Sequence, residues 1–309
     1  MKLFKSMIAM GVALSFASSA IATERVSIGT GGTGGLFYVI GAGMAEILNQ
    51  HMPDTTARAE VTGASVENLR RVAAGQMTFG FSSSSTLYEA TAAEGPFQEA
   101  LDVAAIAYLY PAVLQIATVS GTGVEKMEDL AGKRINLGPP GSNSAILVQR
   151  LMEAYGVFDP ANAQFLSYTE GATALINGVI EATVVLAGAP TAALIDLGAQ
   201  RDMKLISIDA DKVEALIEKY PFYQLYEIEA GTYTNQDDMV LAINDPATIF
   251  TSTDAPEETI YQITRALFDN LDRLGEVHPQ ARAISVETAT NTPVTLHPGA
   301  RRYFDARGE

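Results

Sequence analysis

Residues 26–36 read Val-Ser-Ile-Gly-Thr-Gly-Gly-Thr-Gly-Gly-Leu, and the fold follows from how that stretch is parsed. Val26, Ser27 and Ile28 form a short run that reads as a strand. The glycine-rich loop 29–35 breaks it, and a helix follows with Leu36, Ile40, Met44, Ile47 and Leu48 spaced three and four apart. The same unit recurs along the chain. Residues 78–81 run into Ser82-Ser83-Ser84-Ser85 and a helix through Leu87 and Tyr88. Residues 134–137 run into Gly138-Pro139-Pro140-Gly141-Ser142-Asn143-Ser144 and a helix carrying Leu147, Leu151 and Tyr155. Gly156 stands where a glycine would end that helix. Residues 183–187 pass through Gly188-Ala189-Pro190-Thr191 into a helix with Leu194 and Leu197. Strands alternating with helices predict an α/β fold of mostly parallel sheets flanked by helices.

Two of these loops precede residue 115 and two follow residue 130, which predicts two lobes sharing a cleft. In such sheets ligands sit beyond the carboxyl ends of the strands, where these loops lie. Residues 113–120 read as a crossing strand and 239–244 as its return. The expected division is a leader at 1–22, a first lobe of 23–115 plus 238–309, and a second lobe of 116–237. After the return, Pro256 is expected to open one long helix with Ile260, Ile263, Leu267, Leu271 and Leu274 on a face.

The leader has Lys2 and Lys5 ahead of a short apolar run from Met7 to Phe16, then small residues up to Ala22 in an A-x-A pattern. It reads as a secretory signal cleaved after Ala22. About ten apolar residues are too few to span a bilayer of ~30 Å, and no Cys follows for a lipid anchor. An exported, periplasmic chain without stable membrane insertion is expected. Nucleotide cofactors belong to the cytoplasm, so no cofactor is expected either.

Composition narrows the chemistry further. The 309 residues include 36 Asp+Glu against 20 Lys+Arg, three His, no Cys and no Trp. Losing Lys2 and Lys5 with the leader takes the formal charge from −16 to −18. Nucleic-acid binding needs a dense basic face, which this balance does not suggest. Zinc fingers, disulfide scaffolds, cysteine hydrolases and thiolate-held clusters all need cysteine.

A helix start exposes unpaired N–H groups and about half a positive charge. Glycine lets a ligand approach the backbone, and Ser or Thr adds hydroxyls. Loops of this kind around one cleft would hold an anion without Arg or Lys. The dinucleotide fingerprint Gly29-x-Gly31-x-x-Gly34 is met formally, but no acidic strand end follows about 20 residues on. A P-loop would need Gly-Lys-Ser/Thr where Gly34-Gly35-Leu36 stands. His51, His278 and His297 are scattered and read as surface or turn residues. Asp209/Asp211 and Asp237/Asp238 lack a calcium loop's spacing and read as solvated turns, so no metal is expected. Tyr220, Phe222, Tyr223 and Tyr226 read as packing.

The chain resembles the TAXI-type solute-binding receptors of tripartite ATP-independent periplasmic (TRAP) transporters over essentially all of its mature length. The likeness lies in Gly29-Thr30-Gly31-Gly32-Thr33-Gly34-Gly35-Leu36-Phe37-Tyr38, Thr62-Gly63-Ala64-Ser65-Val66-Glu67-Asn68-Leu69 and Tyr108-Leu109-Tyr110-Pro111. It continues through Asp129-Leu130-Ala131-Gly132-Lys133-Arg134, Gly138-Pro139-Pro140-Gly141-Ser142 and Ala187-Gly188-Ala189-Pro190-Thr191. Tyr220-Pro221-Phe222-Tyr223, Ala230-Gly231-Thr232-Tyr233 and His297-Pro298-Gly299-Ala300 complete it. The resemblance implies a type II periplasmic binding fold that closes on a small carboxylate and passes it to a sodium-driven TRAP permease, with no enzymatic step. On this reading Thr33, Gly34, Gly35, Tyr38, Ser82, Ser83 and Ser84 line one wall. Gly141, Ser142, Asn143, Ser144, Ala189, Pro190 and Thr191 line the other, with Tyr38 and Tyr110 over the carbon skeleton.

Two departures bear on the ligand. The family's serine loop usually reads Phe-Val-Gln-Ser-Asp and a Glu often follows Leu-Tyr-Pro; here Phe81-Ser82-Ser83-Ser84-Ser85 and Ala112 stand instead. An ammonium group needs an acceptor, so the loss of two acids favours a dicarboxylate or keto acid such as 2-oxoglutarate over a glutamate-like amino acid. The rival readings are an exported hydrolase using one of Ser82–Ser85, and a ligand sensor docking to a signalling partner.

Overall fold

The computed structural model describes residues 24–220 and 222–308, so the leader and its cleavage site lie outside the described residues. The first lobe begins with β1 (Glu24–Gly29), α1 (Leu36–His51), β2 (Thr55–Glu60), α2 (Ser65–Ala73), β3 (Phe79–Ser83), α3 (Ser84–Ala92) and β4 (Val103–Tyr110). The chain then crosses into β5 (Val113–Val119), β6 (Ile135–Asn136), α4 (Asn143–Ala154), β7 (Ala163–Gln164), α5 (Tyr168–Ile176) and β8 (Ala182–Ala187). The second lobe continues with α6 (Ala192–Gln200), β9 (Met203–Leu205), α7 (Ala210–Lys219), β10 (Gln224–Ile228) and β11 (Val240–Asn244). The return brings β12 (Ala247–Ser252), α8 (Glu257–Phe268), α9 (Leu271–Val277), α10 (Val286–Ala289) and α11 (Pro298–Asp305).

The first sheet has five strands in the order β2-β1-β3-β12-β4, the second seven, running β10-β11-β5-β8-β6-β7 with β9 beside β5. Both sheets are mixed rather than mostly parallel. β1 is parallel to β2 and β3, but β12 is antiparallel to β3 and β4. In the second sheet β6 is parallel to β7 and β8, while β5 is antiparallel to β8, β9 and β11. The reason is topological: each crossing strand returns to the sheet against the run of the βαβ strands.

Both crossings carry a proline, which has no N–H to continue a ladder. Pro111-Ala112 separates β4 from β5, and Asp245-Pro246 separates β11 from β12. Residues 113–115 and 240–244, assigned to the first lobe on sequence, therefore pair in the second sheet. The apolar runs continue through both crossings, so hydropathy alone puts the boundary several residues off. The two crossings touch, since the Asp245 N–H donates to the Ala112 carbonyl at 2.8 Å.

The five apolar residues expected on the first helix are all buried, as are those of β3, β5 and β8. Gly156 takes φ +68° after α4, and the Val157 N–H donates to the Met152 carbonyl at 2.9 Å, closing the helix as a Schellman turn. The long helix after Pro256 is two helices. Asn270 leaves helical geometry, and its side-chain amide donates to the Ala266 carbonyl at 2.8 Å, competing with the backbone ladder. His297 is buried rather than on the surface. Its Nδ1 accepts from the Gly299 N–H at 3.2 Å and so caps α11.

Asn68, wholly buried on α2, ties the strand ends together. Its amide donates to the Thr30 and Phe81 carbonyls at 2.8 and 2.9 Å, and its Oδ1 accepts from Thr62 at 2.7 Å. Asn68→Ala leaves buried polar groups unpaired and is expected to cost about 2–3 kcal/mol. Urea unfolding would show a lower midpoint at unchanged slope; an unaltered midpoint would contradict the assignment.

Candidate functional site

Five helices begin around one cavity between the lobes. Its walls are Gly31, Gly32, Gly35, Leu36 and Phe37 at the start of α1, Ala64 and Ser65 at α2, and Ser83 at α3. The second lobe adds Pro139, Ser142, Asn143 and Ser144 at α4, Tyr168 at α5 and Leu186 at the end of β8. The caps Gly35, Ala64, Ser83 and Ser142 return no side-chain hydrogen bond to their helices. By contrast Ser167 caps α5 in a reciprocal box with Glu170. Among the described residues the starts of α1, α2 and α4 thus turn their positive ends to the cavity without a side-chain cap, whereas the α3 start gives its Ser85 N–H to the Asp245 carboxyl. No Arg or Lys is among the lining residues.

The cavity measures about 30 Å³, well below the ~300 Å³ and more of most ligand pockets. The lobes are closed around it, and as they stand it has no room for a molecule of several atoms. The shut walls touch where side chains are missing. A Cβ at Gly63 would meet the Pro140 carbonyl oxygen at 2.7 Å, one at Gly34 the Thr169 hydroxyl at 2.3 Å, and one at Gly35 the Tyr168 ring at 3.3 Å. The Val66 N–H donates to the Gly141 carbonyl at 3.2 Å across the gap. A larger hollow of about 670 Å³ along Arg25, Ser27, Thr56 and Arg58 is an open trough on the solvent face of β1 and β2, away from the helix starts.

Ala64 holds φ +72° and ψ −141°, which side chains other than glycine rarely adopt. Such a residue stores about 1–3 kcal/mol of strain, and here it sits in the cavity wall.

Behind the wall lies a buried polar network that joins the lobes at the crossing. Asp245 accepts from the Ser85 N–H at 3.0 Å and from the Ser85 hydroxyl and the Asn143 amide. Burial, opposed by those donors, pushes its carboxyl up to about 7. Farther along the α3–α4 contact, Arg150 pairs with buried Glu89 at 2.6 Å, donates to the Tyr223 hydroxyl at 2.8 Å and stacks 4.2 Å over Tyr220. Burial raises the Glu89 carboxyl, with Arg150 pulling against it.

Of the residues expected at the site, Gly35, Ser83, Ser142, Asn143 and Ser144 meet at the cavity. Thr33 is exposed, and Gly34 and Gly141 lie on the lobe contact rather than on the wall. Tyr38 faces a separate groove with Glu46 and Arg58. Ser82 bonds to the Ser83 carbonyl, and Ser84 to Thr248. Tyr110 is wholly buried at the end of β4. Thr191 donates its N–H to Tyr233 at 2.9 Å; it and the residues Ala189 and Pro190, which are joined by a cis bond, are not on the wall.

Sequence reasoning missed Leu186 and the starts of α2 and α5, although Ser167-x-x-Glu170 signals a helix start. It also missed Asp245, whose signal is an acid between two apolar runs. The acid absent at Ser85 and Ala112 is therefore present in space, supplied by a residue that bonds to both.

A family model described as the NMT1-like family matches residues 28–308. Among solved structures, MatC from Rhodopseudomonas palustris with bound malate is 15% identical at TM-score 0.56, covering 91% of this chain and 97% of that one. The binding protein component of an ABC phosphonate transporter from Pseudomonas aeruginosa is 11% identical at TM-score 0.53, covering 85% and 80%. A histidine kinase sensor domain described as similar to periplasmic binding proteins is 11% identical at TM-score 0.51, covering 85% and 98%. At these identities the likeness is one of fold: two α/β lobes of the periplasmic binding protein kind, with mixed sheets flanked by helices.

The Asp245 carboxyl titrates near 7 in the folded chain against 3.8 for its ordinary value, so the folded state holds its proton more tightly. The stability it contributes is full below pH 3.8 and is lost as pH rises to about 7. Relative to Asp245→Asn, the natural chain should lose up to roughly 4 kcal/mol of unfolding free energy between about pH 4 and about pH 8. Paired denaturation series measure this; a difference that stays constant with pH would contradict it.

Proposed function

The chain belongs to the NMT1-like family, and from that premise we propose that it is an exported solute-binding receptor for a small organic carboxylate. It belongs, on this reading, to the TAXI type and hands its solute to a TRAP permease in the membrane. The observation that carries the proposal is the meeting of the α1, α2 and α4 starts, none with a side-chain cap, at one interlobe cavity that has no basic side chain in its wall. Backbone N–H groups and the hydroxyls of Ser65 and Ser83 hold carboxylate oxygens there. Phe37 and Tyr168 cover the carbon skeleton.

Capture works by lobe closure. The ligand shifts the open and closed populations by the contacts it makes only when both walls reach it. Glycine at 34, 35 and 63 permits that approach, because a side chain there would strike the opposite wall. Among the described residues no helix is long and apolar enough to cross a membrane; on the reading proposed here, passage across the bilayer falls to the permease.

Hydrolysis is disfavoured. Ser82 donates to a carbonyl and Ser85 to Asp245, Ser84 shares a hydrogen bond with Thr248, and among the described residues none of Ser82–Ser85 has an imidazole partner. A serine nucleophile needs a base within such reach.

A panel of organic acids should contain one that stabilises the protein by about 2.7 kcal/mol at a hundredfold excess over its dissociation constant. Thermal melts measure this, and a panel without effect would count against the proposal. Gly63→Val should hold the lobes apart. It should weaken the same acid at least ~10-fold, equivalent to about 1.4 kcal/mol, and raise the radius of gyration measured by small-angle scattering with acid present. Unchanged affinity would remove the closure step.

A further inference from the structure

We infer that the solute carries a hydrogen-bond donor beside its carboxylate, a hydroxyl or an ammonium group, and that Asn143 Oδ1 is the atom that selects for it. The inference rests on the carboxylate-receptor reading above and specifies its ligand class.

Buried polar side-chain atoms without a partner among the described residues occur on Thr86, Glu89, Tyr110, Asn143 and Asn244. Of these, Asn143 belongs to the cavity wall. Its residue is 1% exposed, and the atom left over is the amide oxygen, an acceptor. A buried acceptor with no donor is unfavourable, and a ligand that supplies the donor gains what an analogue without one forfeits.

The amide cannot relieve this by turning over. Its Nδ2 donates to Asp245 and, at 3.2 Å, to the Ser85 hydroxyl. With Asp245 ionised, above about pH 7, a flip would set Oδ1 against the carboxylate and leave that carboxylate short of a donor. Asp245 is thus a positioning residue: it fixes which end of Asn143 is free. Withdrawal of the Nδ2 proton toward a carboxylate also makes the far oxygen a better acceptor. Asp245 comes from the crossing segment and Asn143 from the first turn of α4. The selecting oxygen is therefore set by contacts spanning both lobes.

The neighbouring polar groups are internally matched. Ser142 and Ser144 hydroxyls bond each other at 2.8 Å, and the Tyr168 hydroxyl both donates to and accepts from the Leu186 backbone at 3.2 Å. None of them duplicates the demand made by Asn143.

Calorimetric titration of the full chain with two matched pairs tests this. L-malate and succinate differ by one hydroxyl; L-glutamate and 2-oxoglutarate differ by an ammonium against a carbonyl. The donor-bearing member of at least one pair should bind ~10-fold or more tightly, and which pair responds tells hydroxyl from ammonium. In Asn143→Ala the gap should close to within about threefold through loss of the donor-bearing acid, while its analogue binds as before. In Asp245→Asn the amide at 143 is free to turn, and the same gap should shrink. Thermal melts check that each variant is folded; if neither folds, the natural chain's pairs still decide the claim. Equal binding within both pairs, or a gap that survives in folded Asn143→Ala, overturns the inference and leaves carboxylate capture standing. No binding of any of the four acids overturns both.

Discussion

A carboxylate sealed inside a protein survives only if donors surround it, and Asp245 is placed so that its donors come from both lobes. Ser85 opens α3 in the first lobe, Asn143 opens α4 in the second, and Asp245 sits in the segment that joins them. One side chain therefore sets the spacing and the facing of two helix starts. The cavity lies directly in front of them. Other contacts across the gap, among them Val66 to Gly141 and Glu89 to Arg150, act on walls already brought together there.

Much of this architecture was readable from the residue pattern. The glycine at 156, the stripe from Leu36 to Leu48 and the buried runs of β5 and β8 declare themselves because each rests on local periodicity or a single backbone requirement. The lobe boundaries were read less well: a strand that leaves one sheet for another keeps its apolar pattern, and only Pro111 and Pro246 mark the change. At the site, the loops after β1, β3 and β6 were legible as helix starts with small residues. Tyr168 was not, since its loop lacks glycine. Tyr110 looked like a ligand cover because aromatic type says nothing of direction, and the fold turns it wholly inward. Asp245 was invisible as a partner of Ser85 because 160 positions separate them.

On the proposed reading, a chain with a large negative charge receives an anion through short-range dipoles. Net charge acts over distances that salt screens within about 8 Å, whereas peptide dipoles act at contact. Positive helix ends aimed at one point do locally what a guanidinium would do, without a long flexible side chain to be ordered. On the inference drawn above, they leave the neutral amide of Asn143 to supply discrimination rather than charge.

The main apolar core is not confined to one lobe. Ile28, Phe81 and Phe250 of the first sheet belong to the same contiguous cluster as Leu175, Val185, Leu194 and Leu197 of the second lobe. By chain order the second lobe is an insertion between β4 and β12, but energetically it is no cassette. Exchanging it for the corresponding piece of a distant relative would carry off part of its host's interior, so recombination between chains of this fold is constrained to matched pairs of lobes.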